Sequence, residues 1–158
     1  MVGTMELRKY REEDLKEIID LFYETVCTVN RKDYSKEQIE VWANRKDTLL
    51  QRKDFFTSLY TIVATEEGKI VGYGNIDHAG YIDHLFVHKD YQGKKIATAI
   101  CDELEQYSLA KGNTKITVHA SITALPFFKG RGYCIKKEQK VKLNGIELTN
   151  YTMEKILV

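Results

Sequence analysis

A strand, a short polar loop, a long amphipathic helix and a second strand follow one another between Tyr81 and His119, and this succession limits the fold most. Tyr81–Val87 is largely apolar, interrupted by Asp83 and His84. Gly93–Ala110 carries Ile96, Ile100, Leu104 and Tyr107 at helical spacing, with Gly112 just beyond its end. Lys115–His119 then reads as a short strand. Two strands of one sheet joined through a crossover helix run parallel, because a tight turn can only reverse the chain. A parallel pair is therefore expected at the centre of the sheet.

The flanking segments predict antiparallel neighbours. Met5–Tyr10 reads as a first strand. A helix follows from about Glu12, with Leu15, Ile18, Ile19, Phe22 and Val26 on one side and acidic residues in its first turn. Ser35 and Gln38 fit a capping box that opens a second helix, whose apolar side holds Ile39, Trp42 and Leu49. Leu59–Thr65 and Ile70–Ile76 flank the turn Glu66-Glu67-Gly68-Lys69 as a hairpin. Residues after Ser121 look helical up to about Lys129, but Pro126 requires that helix to start late. Tyr133–Leu143 and Ile146–Ile156 form a closing hairpin around Asn144-Gly145, a type I′ turn signal. The order is β-αα-βββ-α-β-α-ββ. We expect an α/β (α+β) fold with a mixed, mostly antiparallel sheet flanked by helices, in one domain spanning 1–158.

Composition excludes several function classes. The 24 basic and 23 acidic residues leave a net charge of +1, with no basic excess for a nucleic-acid backbone. No apolar run approaches the roughly 20 residues that cross a bilayer. Met1–Tyr10 lacks the apolar core of a secretory leader. Cys27, Cys101 and Cys134 are odd in number and far apart, so free thiols and a cytoplasmic location are expected. The four histidines lack cysteine partners at zinc-site spacing, so no metal is expected.

The chemistry concentrates where strand Leu85-Phe86-Val87 passes through His88-Lys89-Asp90-Tyr91 into Gln92-Gly93-Lys94-Lys95-Ile96-Ala97. A glycine turn that opens a helix presents successive backbone N–H groups and suits an anion such as a pyrophosphate. Lys94 and Lys95 add positive charge, although two lysines at a helix start are also an ordinary solvated surface. This stretch resembles the signature Gln/Arg-x-x-Gly-x-Gly/Ala of the GNAT superfamily of acetyl-CoA-dependent N-acetyltransferases. Gln92 and Ala97 match its ends, and Lys95 stands where the family prefers glycine. Three further segments are similar to the family in order and spacing. They are Ser121-x-x-Ala124-x-Pro126-Phe127-Phe128-x-x-x-Gly132-Tyr133, Ile70-Val71-Gly72-Tyr73-Gly74, and Asn150-Tyr151-x-Met153-x-Lys155.

The resemblance implies a site. The two central parallel strands should splay apart, with the pantetheine arm of acetyl-CoA in the gap. Leu85, Phe86 and Val87 would pair with it through their backbone. The N–H groups of Gly93, Lys94, Lys95, Ile96 and Ala97, with Gln92, would hold the pyrophosphate. Ser121, Phe127 and Phe128 would line the thioester end. Phe22, Tyr34 and Trp42 fall where family members line the acceptor pocket. Family members are commonly homodimers.

Acyl transfer to an amine requires loss of a proton from the ammonium, donors for the developing oxyanion, and release of a thiolate. Positioning the two reactants supplies much of the rate. Asp83 and His84 are anomalous in a central strand, whose faces are normally apolar, and strand alternation puts them on opposite faces. Asp83 is the first candidate base and His84 the second, since burial would move both pKa values. His119, ending the partner strand, is the third. Phe128 occupies the place where many family members carry a tyrosine acid, so that role is vacant or moves to Tyr81, Tyr133 or Tyr151. The expected activity is transfer of acetyl from acetyl-CoA to a primary amine of a small molecule or peptide. The alternative is a non-catalytic acyl-CoA-binding or regulatory module of the same fold.

Overall fold

Seven strands form one sheet in the computed structural model, which describes residues 5–157. They are β1 (Met5–Lys9), β2 (Tyr60–Glu66), β3 (Lys69–Ile76), β4 (Tyr81–Val87), β5 (Lys115–Ser121), β6 (Cys134–Leu143) and β7 (Ile146–Ile156), in the order β1-β2-β3-β4-β5-β7-β6. Each neighbouring pair is antiparallel except β4 with β5, the parallel pair that the helical crossover demands. The helices are α1 (Leu15–Thr28), α2 (Lys36–Ala43), α3 (Arg45–Gln51), α4 (Lys53–Ser58), α5 (Ile96–Ala110) and α6 (Leu125–Gly130).

Each face of the sheet is closed by its own apolar layer. On one, Ile96, Ile100 and Leu104 of α5 pack with Ile82, Ile116 and Val118. A Cβ added at Gly72 would lie 2.9 Å from Ile96, and one at Gly74 would lie 2.8 Å from Ile100. Those two glycines therefore let α5 press directly onto β3. On the opposite face Ile18, Ile19, Phe22 and Val26 of α1 join Phe56, Val63 and Tyr73. Among the described residues no helix is long and apolar enough to cross a membrane.

Local chemistry sets the element ends. The capping box is present: Gln38 N–H donates to Ser35 Oγ at 3.1 Å, and Ser35 N–H to Gln38 Oε1 at 2.8 Å. The helix it opens is interrupted after Ala43 and again at Arg52, where φ −101° and ψ 66° leave the helical region. The segment is thus three short helices rather than the single one expected. Helix α5 begins at Ile96 rather than Gly93, because Gly93 (φ 74°) and Lys95 (φ 64°) are left-handed. Helix α6 starts late, with Pro126 in the first turn, where its missing N–H has no intrahelical partner to lose. Strand β5 continues to Ser121, beyond the expected end at His119, because β7 keeps pairing as far as Asn150. Asn144 (φ 48°) and Gly145 (φ 80°) make the primed turn of the last hairpin.

Glu105 ties α5 to the sheet's far end. It accepts Tyr133 Oη at 2.7 Å, Lys155 Nζ at 2.9 Å and Arg131 at 3.0 Å, and is only 9% exposed. Removing this carboxylate leaves the Lys155 ammonium and the Tyr133 hydroxyl without their partner, while Arg131 keeps Asp102 at 2.9 Å. Glu105→Ala should lower the unfolding free energy by roughly 3 kcal/mol in urea titration; a loss under about 1 kcal/mol would show that the cluster does not secure the helix. All three cysteines are free, with Cys134 exposed, Cys27 half-buried and Cys101 buried. Burial pushes the Cys101 thiol up to about 12. An aromatic disulfide reagent should therefore modify Cys134 first and reach Cys101 only on unfolding, with three thiols titrating in denaturant. Cys101 reacting as fast as Cys134 in the native protein would contradict that order.

Candidate active site

The parallel pair holds for two positions only. Tyr81 pairs with Thr117 and Ile82 with Val118, after which β4 and β5 part. Between them opens a cleft of about 660 Å³, lined also by α1, α2, α3, the start of α5, α6 and the β6–β7 hairpin. Leu85, Phe86 and Val87 line it and are only half-buried, though apolar and in a central strand. Leu85 and Val87 pack toward the α5 layer and Phe86 toward the α1 layer. Side chains thus anchor the strand while its backbone edge toward β5 opens on the cleft.

At one end the cleft meets the turn into α5. Gln92 Nε2 donates to Val87 O at 2.7 Å and His88 O at 3.3 Å, so this side chain ties the loop back to β4. Thr25 Oγ1 donates to the same Val87 carbonyl at 3.1 Å. The start of α5 has neither a side-chain cap nor an acidic residue in its first turn, which leaves its N–H groups free for an anion. Lys95 adopts the left-handed conformation that glycine takes at no cost, so this departure from the family pattern keeps the turn's shape at a strain of about 1 kcal/mol. Gln92, Gly93, Lys95, Ile96 and Ala97 line the cleft. Lys94 is not among its lining residues, and its ammonium lies 5.0 Å from the Tyr91 ring.

Toward its other end the strand carries a bulge. Ile82 pairs with Ile76 and His84 with Asn75, leaving Asp83 without a partner on β3. The extra residue breaks the alternation that would put Asp83 and His84 on opposite faces. Ile82, Asp83 and His84 all line the cleft, but Ile82 enters the α5 layer whereas the His84 ring, two positions on, lies against Phe22, Phe56 and Tyr73 of the opposite layer. Asn75, fully buried, accepts the His84 N–H through Oδ1 at 2.9 Å and fixes the kink.

These two groups shift in different directions. Burial among the cleft walls, followed by the charge of Asp77, raises the Asp83 pKa, and Arg45, Arg52 and His119 oppose the rise. Burial, then Arg45, drives His84 down to about 3. The fall carries His84 past any useful range and leaves it a neutral ring, with Nδ1 at 2.9 Å from Tyr73 Oη and Phe22, Phe55, Phe56 and Phe86 around it. Tyr81 lines the same space, its Oη 3.4 Å from Nδ1 of exposed His119. Burial, then the charges of Asp83 and Asp77, raises Tyr81 to about 12.

Ser121, Phe127 and Phe128 also line the cleft. Ser121 Oγ accepts the Ala124 N–H at 3.1 Å and so steadies the approach to α6. Of the three tyrosines considered for the place of Phe128, only Tyr81 lines the cleft. The Tyr133 hydroxyl is held by Glu105. Phe22, Tyr34 and Trp42 line the cleft, with Tyr34 Oη bridging Thr149 O and Ile122 N–H. Sequence reasoning missed Arg45, three positions after Trp42, and Val141, Leu143 and Leu148 of the closing hairpin. Among the described residues no group of three or more His, Cys, Asp or Glu side chains is arranged to hold a metal ion.

Comparison with known proteins defines the class. Residues 30–155 match the model of the acetyltransferase (GNAT) domain. The chain is 31% identical over 153 residues to the uncharacterized N-acetyltransferase YafP of Escherichia coli (strain K12), covering 96% of each. A GCN5-related N-acetyltransferase from Rhodopseudomonas palustris superposes with a TM-score of 0.94 at 36% identity, over 99% of this chain and 98% of that one. The PaiA N-acetyltransferase of Thermoplasma acidophilum, solved in complex with coenzyme A, shares the fold with a TM-score of 0.73 at 19% identity, over 97% and 99%. The fold and the splayed cleft are those of an acyltransferase. The chain belongs to the GNAT acetyltransferase family.

The left-handed lysine gives a test of the turn. Lys95→Gly should raise the unfolding free energy by roughly 0.5–1 kcal/mol, strain relief exceeding the added unfolded-state entropy. Thermal unfolding that shows Lys95→Gly less stable than the parent would remove strain from this position.

Proposed function

We propose that the protein transfers an acetyl group from acetyl-CoA to a primary amine of a small molecule or peptide, by direct attack while both reactants occupy the cleft. One observation carries the reading: β4 and β5 separate after Ile82 and Val118, and the resulting cleft runs from the open N-terminus of α5 to Asp83. The site fits the donor at three points. The N–H groups from Gly93 to Ala97, with Lys95, suit its pyrophosphate. The backbone edge of Leu85–Val87 that β5 leaves unpaired, apart from the Val87 carbonyl held by Gln92 and Thr25, suits the amides of its pantetheine arm. Ser121, Phe127 and Phe128 line the far end. Acetyl-CoA supplies the activated acetyl group: its C–S bond breaks as the amine N–C bond forms, and CoA leaves as the thiol.

Asp83 is the base in this reading. It takes the ammonium proton directly or through one water, and its raised pKa makes it a stronger acceptor than an ordinary carboxylate. His84 is the weaker candidate, since a ring pushed to about 3 holds a proton poorly. It positions the strand through Tyr73. Tyr81 remains protonated and stands beside His119, where its hydroxyl can donate toward the departing thiolate. Phe128 favours the alternative of a non-catalytic acyl-CoA-binding module, because it offers no hydroxyl. Tyr81, Asp83 and His119 around one cleft favour catalysis.

The ionised form of Asp83 is the active one, so lowering pH through its raised pKa removes the base. The acidic limb of the pH–rate profile should lie above the ordinary carboxylate value of about 4. Asp83→Asn should abolish that limb and lower kcat roughly 100-fold, with acetyl-CoA affinity by calorimetry little changed. His84→Ala should keep the limb. An Asp83→Asn protein with normal turnover and an unmoved limb would transfer the role to His119 or to an amine that arrives neutral. Lys95→Glu should weaken acetyl-CoA binding at least about tenfold by placing a carboxylate at the anion site; unchanged affinity would remove the pyrophosphate from this turn.

A further inference from the structure

The acceptor half of the cleft carries a charge pattern that acetyl transfer alone does not use. Among the described residues, the arginines in ion pairs are Arg8 and Arg131. Arg45 lines the cleft at the start of α3 with no carboxylate partner among those residues, and its charge acts on both Asp83 and His84. Arg52, stacked 5.1 Å from the Phe55 ring, also acts on Asp83. The neighbouring acids are already engaged. Asp77 Oδ1 accepts the Ala79 and Tyr81 N–H groups at 2.9 Å, and Asp33 accepts the Thr123 hydroxyl at 2.7 Å. Asp83 is the one carboxylate among the lining residues. Phe22, Trp42 and Phe86 line the same cleft, the Phe86 ring centroid 5.1 Å from that of Phe22 and 6.4 Å from that of Trp42.

A polyamine or polycationic sugar would find one carboxylate and two repelling guanidinium groups here. A simple monoamine would leave Arg45 without a counterion. We propose that the acceptor is an amine that carries its own carboxylate on an apolar or aromatic body, with Arg45 taking the carboxylate while the amine faces Asp83. This rests on the reading of the cleft as a two-substrate site. The aromatic wall supplies binding area for the body, and the pair of opposite charges fixes its orientation. Exclusion of polycations follows from the same residues, since like charges brought together discriminate against the wrong partner.

Two matched pairs of acceptors test this: phenylalanine with phenethylamine, and leucine with isopentylamine, with spermidine as the polycation. CoA release is measured with the full chain at saturating acetyl-CoA. Each amino acid should exceed its decarboxylated partner in kcat/KM by at least about tenfold, the range of a charge-assisted hydrogen bond. Arg45→Ala should cut that ratio about tenfold, through KM. Arg45→Lys should keep part of it, and Arg45→Glu should reverse it. Equal rates within a pair, or a ratio that survives Arg45→Glu, overturns the proposal. A protein that binds acetyl-CoA by calorimetry yet acetylates neither amino acid also overturns it, and leaves the donor site standing. Failure to bind acetyl-CoA at all overturns the two-substrate reading and this proposal together.

Discussion

Everything at the site depends on a sheet that stops pairing. Ile82 and Val118 are the last partners between β4 and β5, and the strands beyond them have no ladder to share. A central strand with an unpaired edge is costly unless another group satisfies its backbone. The protein tolerates the opening because each strand is secured on its other side. β4 pairs with β3 from Gly72 to Ile76, and β5 with β7 over its whole length. Helix α5 closes one face, lying low over β3, and α1 closes the other. The gap is therefore a rigid feature of the fold, held by its surroundings.

Much of this was legible in the sequence because it rests on local chemistry. The ends of β4, the capping box at Ser35 and the Asn144-Gly145 turn follow from residue type and spacing alone. The βαβ succession gave the parallel pair, and the motif around Gly93 located the cleft. Two kinds of feature were hidden. The helix expected after Ser35 is divided at Asn44 and Arg52, neither of which is a strong breaker, so tertiary packing decides. The bulge at Asp83 was hidden because alternation is a property of one strand, whereas a bulge is a property of two. Nothing in Ile82-Asp83-His84 says that β3 spends one residue fewer.

The consequence for charge is an asymmetric cleft. Its α5 end presents bare backbone dipoles and Lys95, a field made for an anion. Its other end mixes Asp83 with Arg45 over aromatic walls. Burial has opposite results for the two neighbours at the bulge: the carboxylate gains basicity and the imidazole loses it. Adjacent residues, given the same wall, become a more basic carboxylate and a neutral ring.

The bulge also sets how such a site can change over time. Substitution at Asp83 or His84 alters what each can do, but not where it stands. Where they stand depends on chain length, through one unpaired residue between Ile82 and His84. Removing Asp83 would let Ile82 and His84 follow one another as Ile76 and Asn75 do on β3, healing the ladder with the faces of Leu85, Phe86 and Val87 unchanged and the cleft's one lining carboxylate lost. Point changes can thus retune this site gradually, while an in-frame deletion of three nucleotides would take away the carboxylate and the kink that presents it together.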